Sequence, residues 1–193
     1  MRTFFSSFSA NNKEAFTTQR EILEKYGLAV NDQGEVVGMC RPMTNTYLSL
    51  ILQGEKPKKY LEDGKKFLAN SIERENRELE AAKLGETDID HSAFKENNVP
   101  HVDLILPKNH LTEATVTALL EKNKHLLITY PQDKADHEIY LGRKNEAGRC
   151  RFFDANIRGG ERKGRCDELI HQVVEAMKSQ YTKEDKPFGV GMG

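Results

Sequence analysis

The residues with the clearest chemical potential are a thiol, an imidazole and a carboxylate, in the chain order Cys40, His137, Asp154. Three cysteines and six histidines make a Cys/His pair uninformative by type alone, so position has to select. Cys40 follows Gly38-Met39 and directly precedes a helical pattern. A thiol there feels the positive end of the helix dipole and the free N–H groups of the first turn, and both favour thiolate. The same N–H groups can hold an oxyanion. The position also suits a small buried hydrophobe at a helix start. His137 opens the strand-like run His-Glu-Ile-Tyr-Leu, and Asp154 closes Arg-Phe-Phe-Asp-Ala-Asn, 17 residues later. Two short antiparallel strands and a turn fill that interval and bring the start of one beside the end of the next. A carboxylate there would fix the imidazole's tautomer and stabilise imidazolium, which in turn stabilises thiolate. Asp154 also reads as a turn residue in Asp-Ala-Asn.

The elements that must carry these groups follow from hydrophobic spacing. A helix is expected from Ser9 to Tyr26, capped by Asn11 or Asn12, with Phe16, Ile22 and Leu23 inward and Gly27 at its C′ position. A polar loop spans Leu28 to Val37. A second helix fits Arg41 to Leu52, with Pro42 in its first turn. The longest helical pattern runs from Pro57 to Leu84, and its charge-dense half, Glu73 to Lys83, reads as a solvated end. Thr87 to Pro107 looks irregular, and Thr112 to Lys124 returns to helix. Three strands follow, His125 to Tyr130, His137 to Gly142 and Arg149 to Ala155, joined by the turn-rich segments Pro131 to Asp136 and Arg143 to Gly148. A last helix covers Arg165 to Gln180. The order predicts one α+β domain over residues 1–193, with residues 1–27 as helical support and 28–193 as the core.

Gly38-Met39-Cys40 with Met43 and Tyr47, then His137-Glu138-Ile139, then Phe153-Asp154-Ala155-Asn156 with Gly159, resembles the papain-like cysteine proteases of the YopT/AvrPphB type, a family of bacterial effector and toxin proteases. The likeness runs from Cys40 to about Gly160, and this chain has Tyr47 and Ala155 where the family often carries Trp and Pro. The resemblance implies a papain-like fold whose nucleophile-bearing helix packs on a small antiparallel sheet. It implies Cys40 as nucleophile, His137 as general base and acid, and Asp154 as the orienting residue. It also implies an amide upstream of the nucleophile as oxyanion partner, for which Gln33 is the first choice and Asn31 the second. A protein substrate, a host protein, follows from the same likeness, as does a secreted effector acting inside a host cell. No cofactor is implied.

Two rivals keep this fold. Transglutaminase-like enzymes and glutamine deamidases order the same three residue types with a similar interval, and a non-catalytic binding module would use the fold for contacts alone. Other features are weaker. Cys150, Cys166 and His171 lack a fourth ligand, so no metal site is expected there. Nothing resembles a disulfide framework, and the thiols are expected to be reduced. His91, His101, His110 and His125 show no partner pattern and read as structural or surface residues. Arg158, Arg162, Lys163 and Arg165 could meet an anion, though a solvated loop serves equally.

The composition sets outer limits. With 29 basic and 30 acidic residues the formal charge is -1, which argues against general nucleic-acid binding. The longest apolar-rich stretch, Tyr47 to Leu52, is far too short to span a bilayer, so no transmembrane segment is expected. The start, Met-Arg-Thr-Phe-Phe-Ser-Ser-Phe, does not read as a cleavable signal.

Overall fold

The structure, a computed structural model, describes residues 13–130, 136–180 and 185–193. The elements run α1 (Gln19–Lys25), α2 (Cys40–Leu52), α3 (Pro57–Leu61), α4 (Gly64–Lys83), α5 (Ser92–Glu96), β1 (Val102–Leu106), a 3-10 turn (Lys108–His110), α6 (Glu113–Lys122), β2 (His125–Tyr130), β3 (His137–Arg143), β4 (Arg149–Phe153), β5 (Glu161–Arg165), α7 (Cys166–Gln180) and β6 (Phe188–Met192). The six strands form one antiparallel sheet in the order β1-β6-β2-β3-β4-β5.

Side-chain alternation divides this sheet between two cores. Leu126, Ile128, Ile139, Leu141, Phe152 and Val190 face a cluster closed by Val116 and Leu120 of α6 and by Leu169, Val173 and Met177 of α7. Leu127, Tyr140 and Phe153 face the other way and pack with Met43, Tyr47 and Leu48 of α2 and Phe67 of α4. The centre is aromatic: Tyr47 stacks on Phe153 with ring centroids 4.9 Å apart, and Phe67 meets the same ring edge-on at 5.7 Å. The helix that begins at Cys40 therefore lies against β3, as the α+β reading expected. Thr44 pins it there by donating to the Glu138 carbonyl at 3.1 Å.

Several expectations need correction. The first helix starts at Gln19, where the Thr18 hydroxyl accepts from the Glu21 N–H; the expected start at Ser9 and the caps Asn11 and Asn12 lie outside the described residues. The same is true of most of the turn between β2 and β3. The pattern from Pro57 to Leu84 is two helices, because the Asp63 side chain caps a new one by accepting from the Lys66 N–H. Its charge-dense half does not simply project into solvent. Arg74 and Glu78 are buried; Arg74 pairs with Glu96 at 2.6 Å, and Glu78 holds Arg41 at 3.0 Å. The segment read as irregular contains α5 and β1, and β1 is held by the last strand, with Leu104 opposite Val190. The basic run from Arg158 to Arg165 is not a free loop. Its second part is the edge strand β5, and a Lys/Arg-rich edge discourages pairing with another chain.

The cysteines also differ from expectation. Cys150 and Cys166 form a disulfide, with Cα atoms 4.8 Å apart. The β4–β5 pairing sets Cys150 opposite Gly164, two residues before Cys166 at the start of α7. Proximity thus arises from a hairpin whose basic, apolar-poor second strand left no readable pattern. Cys40 is the remaining thiol. No helix among the described residues is long and apolar enough to cross a membrane.

Candidate active site

Cys40 is the first residue of α2, preceded by Met39 with no side-chain cap. The N–H groups of a helix's first turn have no intrahelical acceptors, so they converge near the sulfur. No acidic residue occupies that turn to oppose a thiolate. In its thiol form Cys40 donates to the backbone oxygen of Asp136 at 3.3 Å. That contact places the sulfur at the entrance to β3.

The next residue is His137, almost fully buried at the start of β3. Its Nε2 lies 2.9 Å from Oδ1 of Asp154, just past the end of β4, and its ring also hydrogen-bonds Cys40. With Nε2 committed to the carboxylate, Nδ1 is the nitrogen left for sulfur. Burial disfavours charge on this ring, but the hydrogen bonds and negative charges of Asp154 and Cys40 outweigh it and hold the imidazole up to about 9. Protonated imidazole beside a thiol at a helix N-terminus is the arrangement that a thiolate–imidazolium pair requires. Asp154 is itself held in place: its Oδ1 accepts from the Asn156 N–H at 2.9 Å, and its own N–H donates to the Gly160 carbonyl at 2.9 Å. Gly160, at a φ of +76°, packs so closely on Phe153 and Phe16 that a Cβ would come within 2.6 Å of the Phe153 ring.

The three residues Cys40, His137 and Asp154 are therefore one contiguous hydrogen-bonded set. Asn31 and Gln33 are not part of it. Asn31 Oδ1 accepts from the N–H groups of Gln33 and Glu35, its amide donates to Glu35, and Gln33 is exposed on that turn. The side-chain amide bonded to the residue before Cys40 is that of Gln19, at the start of α1. Its Oε1 accepts from the Met39 N–H at 2.8 Å, its Nε2 donates to Asn156 Oδ1 at 2.5 Å, and its backbone N–H donates to the Ala155 carbonyl at 2.7 Å. Gln19 thus ties the residue before Cys40 to the loop carrying Asp154. In the sequence it is one polar residue on an amphipathic helix, and the Thr18 cap before it is the only local signal.

A second missed residue is Glu138. It is buried behind His137, where its Oε2 accepts from Asn45 Nδ2 at 2.9 Å and its Oε1 lies 3.4 Å from the Thr129 hydroxyl. Burial and the negative charges of Asp90, Cys40 and Glu78 push it well above the ordinary carboxyl range, against the opposing effect of Arg41. Burial thus biases Glu138 toward its neutral form, in which it still accepts from Asn45.

The remaining candidates have other surroundings. His125 is buried with Nδ1 2.7 Å from the Tyr140 hydroxyl, and burial with nearby Lys124, Arg151 and Arg143 lowers it to about 4, so it is a neutral core histidine. His171 lies 3.1 Å from Glu113. Arg158 pairs with Glu21, Arg162 donates to the carbonyls of Arg158 and Glu161, Lys163 pairs with Glu161, and Arg165 pairs with Asp167. His91 and His101 do lie at ion-pair distance from Asp88 and Asp103, in a cluster at the start of α5.

No family model and no curated protein matches the chain. Among solved structures, the chain is similar to the crystal structure of the Pseudomonas avirulence protein AvrPphB, at 13% identity and a TM-score of 0.56. The likeness covers 87% of this chain and 97% of that one. At such identity it is a likeness of fold, and the fold is the α+β, papain-like arrangement.

Proposed function

We propose that the chain is a cysteine endopeptidase that works through an acyl-enzyme. The observation that carries this reading is the continuous contact from Cys40 through His137 to Asp154, with the sulfur at a helix N-terminus and the imidazole buried. The Cys40 thiolate attacks the scissile carbonyl carbon, and the carbonyl electrons move to oxygen. The Cys40 N–H and Gln19 Nε2 stabilise that oxyanion. Protonated His137 gives its proton to the leaving amine, the C–N bond breaks, and the neutral imidazole then draws a proton from the water that hydrolyses the thioester. Asp154 keeps the ring oriented throughout.

The fold of AvrPphB, whose protease type the three motifs resemble, supports a protein substrate. The same resemblance supports delivery as a secreted effector and a host protein as target.

The test is labelling by a papain-directed epoxide, with adduct mapping on the wild-type chain and on Cys40→Ala and His137→Ala. The expected result is a single adduct at Cys40 whose formation slows sharply without His137. Labelling that is indifferent to His137 would refute the thiolate–imidazolium pair. Incubation with a denatured proteome then reads new peptide N-termini against released ammonia. Ammonia without new N-termini would assign the pair to a deamidase instead.

A further inference from the structure

Four side chains that the proposed peptidase reaction does not use converge on one point. Asp88 lies in the turn after α4, His91 directly precedes α5, and His101 and Asp103 bracket the start of β1. One ligand atom from each can be chosen so that all four lie within 4.8 Å of one another. Four donors around a tetrahedral ion with bonds of about 2.0–2.2 Å are spaced about 3.3–3.6 Å apart. The distances here straddle that value: His91 Nδ1 is 3.0 Å from Asp88 Oδ1 and 2.9 Å from Asp103 Oδ1, and His101 Nε2 is 2.7 Å from Asp88 Oδ2 and 4.0 Å from Asp103 Oδ1, so Asp88 meets the two rings with different oxygens.

A second observation points to a ligand. The His91 side chain is nine-tenths buried, yet its Nδ1, wedged between two carboxylate oxygens, makes a hydrogen bond to neither. A buried ring nitrogen this close to two carboxylate oxygens, yet outside hydrogen-bond geometry to either, is one that a cation seated among them would satisfy. The rings are braced as well. His101 Nδ1 faces the Val99 carbonyl at 3.5 Å, which leaves Nε2 as the inward-facing nitrogen, and Phe94 stacks on the same ring with centroids 5.3 Å apart. Gly191 of β6 gives the His91 ring its space, since a Cβ there would lie 2.7 Å from it.

We propose that Asp88, His91, His101 and Asp103 bind one zinc ion in a structural site. Two imidazoles disfavour the hard cations Ca²⁺ and Mg²⁺, and the absence of thiolate from the set disfavours Cu(I). Two carboxylates balance the charge of a divalent ion. The ion would staple the edge strand β1 to the segment before α5. That segment is bound to the nucleophile helix through Asn45, whose amide nitrogen donates to the Asp90 carbonyl at 2.8 Å and whose oxygen accepts from the Ala93 N–H at 3.0 Å.

The test uses the full chain carrying Cys40→Ala, so that the thiol–imidazole pair cannot take up metal, with any affinity tag removed. After stripping with EDTA it is titrated with zinc chloride against a chromophoric chelator, while its melting temperature is followed. One equivalent is expected to bind and to raise the melting temperature. Asp103→Asn, at a half-exposed position that leaves the core intact, and His101→Gln should each weaken binding by more than the roughly 10–100-fold typical of losing a supporting hydrogen bond. Cobalt(II) in place of zinc should show the visible absorption of a tetrahedral site. Failure to retain zinc, or an affinity unchanged by both substitutions, would overturn the proposal and leave a histidine–carboxylate cluster.

Discussion

Removing Asp154 tests the electrostatic logic of the proposed triad most directly. The His137 side chain is only 3% exposed, so solvent screens its partners little. The rise from 6.5 to about 9 is net of the burial that opposes it, and at about 1.4 kcal/mol per pH unit it amounts to roughly 3 kcal/mol in favour of imidazolium. Asp154 leads Cys40 in both hydrogen bonding and charge, so at least half of that rests on the carboxylate. Asp154→Ala should therefore slow alkylation of Cys40 by iodoacetamide at pH 7.5 by about 10- to 300-fold. Asp154→Asn, which removes the charge but keeps an acceptor for the ring and for the Asn156 N–H, should fall in between. The assay is the second-order alkylation rate as a function of pH, with circular dichroism confirming that each variant folds. On a peptide substrate, whose leaving amine takes the imidazolium proton, the wild-type kcat/KM should hold until that proton is lost near pH 9; in the alanine variant that upper limb should retreat to lower pH. The same raised value predicts a stability trend. His137 contributes fully below 6.5, and the contribution is lost as pH climbs through about 9, so the variant's unfolding free energy should be flatter across that window. Equal rates at pH 7.5 with an unmoved upper limb would refute the assignment of Asp154.

Three further outcomes follow from the same geometry. Gln19→Ala should lower kcat on a peptide substrate by roughly 10²-fold with a smaller change in KM, as loss of an oxyanion donor does, while alkylation of Cys40 falls far less. Glu138→Gln keeps an acceptor for Asn45, with the Thr129 hydroxyl turning to accept from the new amide, but removes an ionisation that burial disfavours. Because the carboxyl is raised by burial, wild-type stability declines as pH rises above 4.5; the variant should melt higher at pH 7.5, by about 2–4 °C for each kcal/mol gained, and match the wild type near pH 4. Reducing the Cys150–Cys166 bond, or replacing both cysteines with serine, should cost about 3 kcal/mol for a loop of 16 residues, read as a lower denaturant midpoint.

The readable parts of this chain were those with local signals. The helix beginning at Cys40 follows a glycine and carries apolar residues on most of its surface, and β2, β3 and β4 are runs of residues buried on both faces. Their order alone set Cys40, His137 and Asp154 within reach. What escaped reading depends on distant partners. β1, with Val102 and Ile105 exposed, becomes a strand only because β6 pairs with it, and β5 has almost no apolar residue to mark it. Gln19 is positioned by a contact 137 residues away, to Asn156. Buried Arg74 and Glu78 look like any solvated helical pair until Arg41, Ser92 and Glu96 are seen around them.

The position of β6 has a consequence for how the chain reaches its folded state. It follows the other described strands in the sequence, yet it lies second in the sheet, between β1 and β2, with Met192 paired to Val102 on one side and Leu126 on the other. Until residues 188–192 emerge from the ribosome, β1 has no neighbour and the sheet ends at an open, apolar β2. Closure must then join segments tens of residues apart, and such long-range pairing slows folding.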